Sequence, residues 1–154
     1  MSKQSKQQAA ALKHGWRSGL EESVCLQLEE LGRGFEFEPF AITFVQPVKL
    51  RKYTPDIVLP NGIVIETKGR FITSDRQKHL LVKEQYPDLD LRFVFSNSRQ
   101  RISKQSKTTY AKWCTLKGFL FADAKNILEW LSWVDEPRNT ASLRVIRKIE
   151  RGDR

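Results

Sequence analysis

The chain has 154 residues, 40% of them hydrophobic, which suits one domain with its own core and excludes wholesale disorder. Lys and Arg outnumber Asp and Glu by 27 to 18, and the net charge of +9 points to a polyanionic partner, whether DNA, RNA or an anionic membrane. No apolar run is long enough to span a bilayer, and the polar start MSKQSKQQAAALKHG lacks a signal-peptide core, so a cytoplasmic protein without a membrane partner is expected.

Residues 1–15, with Lys3, Lys6 and Lys13, read as a flexible basic arm. Ser18-Gly19-Leu20-Glu21 is a capping-box pattern, and Leu20, Val24, Leu28 and Leu31 follow at helical spacing until Gly32 and Gly34 end the helix. Residues 35–40 and 42–50 are strand-like, and Pro47 inside the second run predicts an edge strand or a bend. A hairpin follows over 53–70. Ser74-Asp75-Arg76-Gln77 offers a second capping box for a helix running to about Tyr86. Residues 91–95 read as a strand, 96–98 as a turn, 109–117 as a helix ending at Gly118, 119–121 as a strand and 127–133 as a helix. After Pro137 the chain turns basic again and predicts a partly disordered tail. This order of elements fits an α/β (α+β) domain. Cys25 and Cys114 lack metal-type spacing and read as buried thiols, and Trp113, Trp130 and Trp133 read as packing residues.

The stretch YTPDIVLPNGIVIETKGR, residues 53–70, carries the chemistry. A two-residue turn at Asn61-Gly62 would set Asp56 opposite Thr67 and send Glu66 to the other face. A three-residue loop, Pro60-Asn61-Gly62, would pair Leu59 with Ile63 and Asp56 with Glu66. The residue types favour the second register: proline suits the first turn position, asparagine the next, and glycine the left-handed position that closes the loop. Opposed residues have Cβ atoms about 4.5–5.5 Å apart, and Lys68 lies on the same face as Glu66. Two carboxylates that close repel unless a positive charge joins them, and a hard cation such as Mg²⁺ takes carboxylate oxygens. With Lys68 able to offset developing charge, the set suggests metal-assisted hydrolysis of a phosphodiester. The plain alternative is a surface face neutralised by a salt bridge from Lys68 to Glu66 or Asp56. Glu21 has a capping role, yet it falls on the inward side with Val24, Cys25 and Leu28, where an acid needs a partner; a metal shared with Asp56 and Glu66 would supply one.

Several blocks agree in order and spacing with one family. They are Trp16-Arg17-Ser18-Gly19-Leu20-Glu21, Tyr53-Thr54-Pro55-Asp56, Leu59-Pro60-Asn61-Gly62-Ile63, Glu66-Thr67-Lys68-Gly69, Asp75-Arg76, Lys78-His79-Leu80-Leu81, Glu84-Gln85, Phe95-Ser96 and Ser98-Arg99. Over roughly residues 16–122 the chain closely resembles the phage endonuclease I family of Holliday-junction resolvases. The resemblance implies a restriction-endonuclease-like mixed β-sheet flanked by helices, in an intertwined, domain-swapped homodimer. It implies Mg²⁺-dependent cleavage of four-way and other branched DNA, with Mn²⁺ substituting, about two ions per site, and 5′-phosphate and 3′-hydroxyl ends. The implied metal ligands are Glu21, Asp56, Glu66 and the backbone carbonyl of Thr67, with Lys68 as the active-site lysine. Each site would combine Glu21 of one chain with the hairpin of the other, through a bridge near 42–52. On this reading a nuclease domain spans 16–134, between a basic arm, 1–15, and a basic tail, 135–154, and a phage-encoded chain would act in the host cytoplasm. Arg76, Lys78, His79 and Lys83 on the second helix, with Arg17 and Arg99, are candidate phosphate contacts; a solvated face is the plain reading for each. A nuclease acting on linear duplex, and a non-catalytic branched-DNA-binding protein, are the alternatives.

Overall fold

The computed structural model describes residue 15 and residues 18–46 and 48–152. The expected basic arm and Arg17 therefore lie outside the described residues. Helix α1 spans Gly19–Glu30, and Ser18 caps it as the pattern predicts, its hydroxyl accepting the Glu21 N–H at 3.2 Å. Strands β1 (Glu36–Phe37), β2 (Ile42–Gln46), β3 (Lys49–Tyr53), β4 (Ile57–Val58) and β5 (Ile63–Lys68) follow, then α2 (Thr73–Gln85) and β6 (Asp90–Phe95). The chain continues with α3 (Tyr110–Lys117), β7 (Phe121–Asp123), α4 (Ile127–Val134) and α5 (Thr140–Glu150).

Five strands form one mixed sheet in the order β1-β4-β5-β6-β7. The β1, β4 and β5 pairs are antiparallel, and β5-β6 and β6-β7 are parallel. Helices cover both faces, so the middle strands are apolar on both sides; β5 and β6 bury nearly every residue. Alternation sorts their side chains. Val58, Val64, Phe93 and Phe95 meet α2, α3 and α5 on one face, while Ile57, Ile63, Ile65 and Val94 meet α1 and α4 on the other. Phe71 centres the first core, its ring 4.9 Å from Phe93, 5.3 Å from Phe95 and 5.0 Å from Trp113. Trp113, Trp130 and Trp133 are all buried in these cores, as are Cys25 and Cys114.

The run 42–50 is not one strand. It folds back on itself as β2 and β3, a separate two-stranded sheet whose register centres between Gln46 and Lys49. Helix α2 grips this hairpin: the Gln85 side chain accepts the Val45 N–H at 2.7 Å and donates to its carbonyl at 2.6 Å, and the Tyr86 hydroxyl donates to the Thr43 carbonyl.

Three further readings need correction. Ser74 does not cap α2; the helix starts two residues earlier than that cap would set, at Thr73 after Ile72, with no side-chain cap. The strand read over 119–121 lies at Phe121–Asp123, because Phe119 is drawn into the α3 core and stacks on Trp113. The expected disordered tail is the helix α5, capped by Asn139 and buried through Ser142 and Ile146. Its sequence hides an amphipathic face between basic residues, and composition alone masks it.

The tail and the hairpin turn hold each other. Ser142 donates its hydroxyl to the Gly62 carbonyl at 2.7 Å, Asn139 N–H bonds the Asn61 carbonyl at 2.8 Å, and the Asn61 amide bonds the Trp133 carbonyl at 2.8 Å. Arg92 completes the clamp with Asp90 at 2.8 Å and Glu136 at 2.6 Å. Gly62 has φ of 93°, and a Cβ there would lie 2.9 Å from Leu143 Cγ and 3.1 Å from the Asn139 carbonyl. Gly62→Ala is therefore expected to cost about 1–3 kcal/mol, read as a lower midpoint in urea unfolding. An unchanged midpoint would mean that neither the backbone nor α5 constrains this turn.

Candidate active site

The hairpin takes the three-residue register. The pairs Ile57–Ile65 and Val58–Val64 continue to Leu59–Ile63, where Leu59 N–H bonds the Ile63 carbonyl at 2.8 Å. The same register sets Asp56 across from Glu66, on the face of Val58 and Val64. Both carboxylates are buried, Asp56 7% and Glu66 3% exposed. The plain reading as an exposed, solvated face does not hold.

Asp56 sits just before β4, where the strand pairing stops, and its side chain replaces the missing strand. Its Oδ2 accepts the Thr67 N–H at 2.7 Å and the Thr67 hydroxyl at 2.8 Å. Its Oδ1 has no donor among the described residues. Glu66 is held from three sides. Tyr53, at the end of β3, donates its hydroxyl to Oε2 at 2.6 Å. The Lys68 ammonium lies 3.0 Å from Oε1, and His79 Nε2 stands 3.6 Å from the same oxygen, beyond hydrogen-bond length. Lys68 also reaches Asp75 in the first turn of α2, at 3.5 Å.

Charge divides unevenly over this pair. Burial, then the negative charge of Glu66, pushes the Asp56 carboxyl up to about 7; Glu21 adds to this, and the two Thr67 donors oppose it. Burial also works against charge on Glu66, but His79, Lys68 and Tyr53 outweigh it and hold that carboxyl down to about 2. Burial would lower the Lys68 ammonium, yet Glu66 and Asp75 raise it above its ordinary value, so it stays charged. Burial and Glu66 raise the Tyr53 phenol, which stays a donor.

The sheet end thus carries a like-charge pair with one carboxylate close to neutral pH in its titration. The oxygens placed to meet a cation beside Glu66 are Asp56 Oδ1 and, by strand alternation, the Thr67 carbonyl at the shared edge. Lys68 sends its carbonyl to Ser96 N–H on the β6 side, so backbone alternation turns the Thr67 peptide groups toward Asp56, where its N–H is already bonded. This oxygen-rich, charge-deficient set suits a hard divalent ion. Among the described residues no three His, Cys, Asp or Glu side chains form a ready metal cluster. Glu21 belongs to α1, which packs on the opposite face of the sheet; its charge is felt by Asp56 and by Cys25, whose thiol burial pushes up to about 12.

A pH effect follows from Asp56. Between its ordinary 3.8 and about 7 the native chain holds a proton that the unfolded chain has released. That contribution to stability is complete below the lower value and is lost as pH rises through the upper one. In metal-free buffer Asp56→Asn is expected to gain on the parent protein as pH rises from 5 to 8, by roughly a few kcal/mol at most. Thermal melts at several pH values measure it; a constant difference would show that Asp56 carries no such proton.

Residues 1–153 match the family model for phage endonuclease I. The chain belongs to the phage endonuclease I family. It is 53% identical to endodeoxyribonuclease 1 of Enterobacteria phage T3 over 108 residues, covering 70% of this chain and 71% of that protein. It is 48% identical to endonuclease I of Escherichia phage T7 over 116 residues, covering 75% of this chain and 78% of that protein.

The basic residues read as DNA contacts in this phage endonuclease I member fare differently from the acids. His79 is fully buried in a box of Tyr53, Phe71 and Phe93, with burial lowering its pKa, and it cannot touch a phosphate there. Arg76 is 8% exposed and its guanidinium holds the Phe71 carbonyl and the Thr73 hydroxyl. Lys83 caps α3 through the Gly118 carbonyl at 2.6 Å and lies over the Phe119 ring. His79 and Arg76 are thus turned into the fold, whereas Lys83 is half-buried and tied to the end of α3, as a long basic side chain near a helix C-terminus can be. Lys78 flanks the site, 3.6 Å from Asp75 and 5.1 Å from the Tyr53 ring centre. Arg99 is exposed just beyond β6. Sequence reasoning missed Tyr53 and Asp75 as partners of Glu66 and Lys68. The only sign of Tyr53 was its place in the YTPD block, and Asp75 was absorbed into a capping box that does not form.

Proposed function

We propose that the chain is a metal-dependent endodeoxyribonuclease that resolves four-way and other branched DNA, leaving 5′-phosphate and 3′-hydroxyl ends. The observation that carries this reading is the buried Asp56–Glu66 pair on one face, with the Lys68 ammonium 3.0 Å from Glu66. The T3 and T7 relatives are named endodeoxyribonuclease and endonuclease, which supports DNA as the substrate. Their phage origin makes the host cytoplasm the expected place of action, and no helix among the described residues is long and apolar enough to cross a membrane.

Mg²⁺, or Mn²⁺ in its place, is the expected cofactor, held by Asp56, Glu66 and the Thr67 carbonyl, with a second ion served by Glu21. When bound, it supplies positive charge at the scissile phosphate and an acidified water as nucleophile. Asp56, whose carboxyl burial and Glu66 push up to about 7, would release its proton on becoming a ligand. Lys68 stays protonated and offsets the charge that builds on the phosphate oxygens as the bond breaks. Asp75 and Glu66 keep its ammonium at the sheet end, and Tyr53 fixes the carboxylate that Lys68 leans on.

Resolution needs two cuts related by near two-fold symmetry, which a homodimer with two composite sites provides. A labelled four-way junction should be cut in Mg²⁺, spared in EDTA, and only weakly protected by excess linear duplex of the same sequence. Protection as strong as that from unlabelled junction would favour the linear-duplex reading. No cleavage of any branched DNA with metal present would leave a binding protein.

A further inference from the structure

Helix α2 and the β2–β3 hairpin enclose a groove of about 670 Å³ beside the active site. Its floor is apolar, built by Phe44, Leu80 and Leu81, and its rim carries Arg51, Lys52 and Lys78. No acidic side chain among the described residues lines it. Arg51 and Lys52 are exposed on β3, where a strand would ordinarily bury alternate residues. The groove is held open by main-chain contacts rather than by its own lining: Gln85 brackets Val45 and Tyr86 bonds Thr43. Lys78 joins it to the site, since it lies over Tyr53, whose hydroxyl is bonded to Glu66.

We propose that this groove seats one unstacked nucleotide of the strand being cut, its base on the Phe44–Leu80–Leu81 floor and its flanking phosphates on Arg51, Lys52 and Lys78. The proposal rests on the branched-DNA reading above. The size lies within the roughly 300–1,000 Å³ of small-molecule sites, and an apolar floor with a cationic rim matches a nucleotide's flat face and charged edge. A base in continuous duplex costs about a few kcal/mol to leave the stack, and the proposal requires that cost to be lower at a branch point, where the strand leaves one helix for another. The groove would therefore discriminate branched from linear DNA without reading sequence. Neither Arg51 nor Lys52 belongs to the carboxylate site.

The test uses full-length protein carrying Glu66→Gln and four-way junctions with 2-aminopurine placed singly at each nucleotide next to the branch. Binding is expected to raise fluorescence several-fold at one position, as the probe leaves its stacked neighbours. Adding Arg51→Ala and Lys52→Ala should abolish that rise, weaken binding about tenfold and lower the slope of log affinity against log salt by about two. A flat signal at every position overturns the seat, even if the salt slope falls, because that result describes phosphate contact along the duplex only. A rise that survives the double change also overturns it. If the parent protein fails to cut any junction, the proposed function falls, and the fluorescence result stands apart from it.

Discussion

Glu66→Gln is expected to reduce cleavage of a four-way junction by about a thousandfold or more while leaving junction affinity within about threefold. Glu66 is the meeting point of the site: Tyr53 occupies one oxygen and Lys68 the other, and its carboxyl is held down to about 2. Glutamine keeps the size and an acceptor for Tyr53. It removes the charge that faces Asp56, that anchors Lys68, and that would bind a cation. Because Glu66 is buried, losing its charge does little to the surface that meets phosphates. Lys68→Ala should fall in the same direction by about a hundredfold to a thousandfold, since Asp56 and Glu66 persist but the fixed cation is gone. Single-turnover cleavage and gel-shift titration of the same junction separate the two effects. A Glu66→Gln protein that cuts at the parent rate would remove Glu66 from the chemistry, and a large loss of affinity would make it a binding residue.

The hairpin was legible because its information is local. Pro60, Asn61 and Gly62 each have one comfortable place in a three-residue loop, and strand alternation then fixes Asp56 against Glu66 without knowledge of the rest of the chain. The Ser18 cap was legible for the same reason. The Ser74 pattern misled because the chain enters α2 from Phe71, pinned by Arg76 and Tyr110, which decides where the first turn begins. His79 and Arg76 look like surface bases in sequence. His79 is enclosed by Tyr53 and Phe93, distant in the chain and brought together by the fold, and Arg76 is turned inward by the Phe71 carbonyl and the Thr73 hydroxyl. Helix α5 was hidden for a similar reason: its buried face becomes useful only against the hairpin turn. What the sequence withheld were long-range partners, and the chemistry of the site was carried by short-range ones.

Mixing two inactive chains, one with Glu21→Ala and one with Asp56→Asn, is expected to restore strand nicking from nothing to about a quarter of the parent level. The expectation rests on the proposed homodimer and would follow if elements were exchanged at the β2–β3 hairpin. That hairpin turns at Val48, which has φ of 120° and is 98% exposed. A β-branched residue in that region is strained, at a cost of roughly 1–3 kcal/mol. Straightening the connection would relieve the strain and carry α1, β1 and β2 onto a second copy, while β2 could pair there with an identical β3 and lose none of its ladder. Glu21 travels with the first part, whereas Asp56 and Glu66 stay with the second. In a mixed dimer, one site would then collect both changes and the other neither. Random refolding makes about half the dimers mixed, each with one complete site, hence the quarter. One site cuts one strand, so the product should be a nicked junction rather than a resolved pair of duplexes. If co-refolded mixtures stay inactive while the parent protein survives the same treatment, each site is built within a single chain, and the strain at Val48 has another reason.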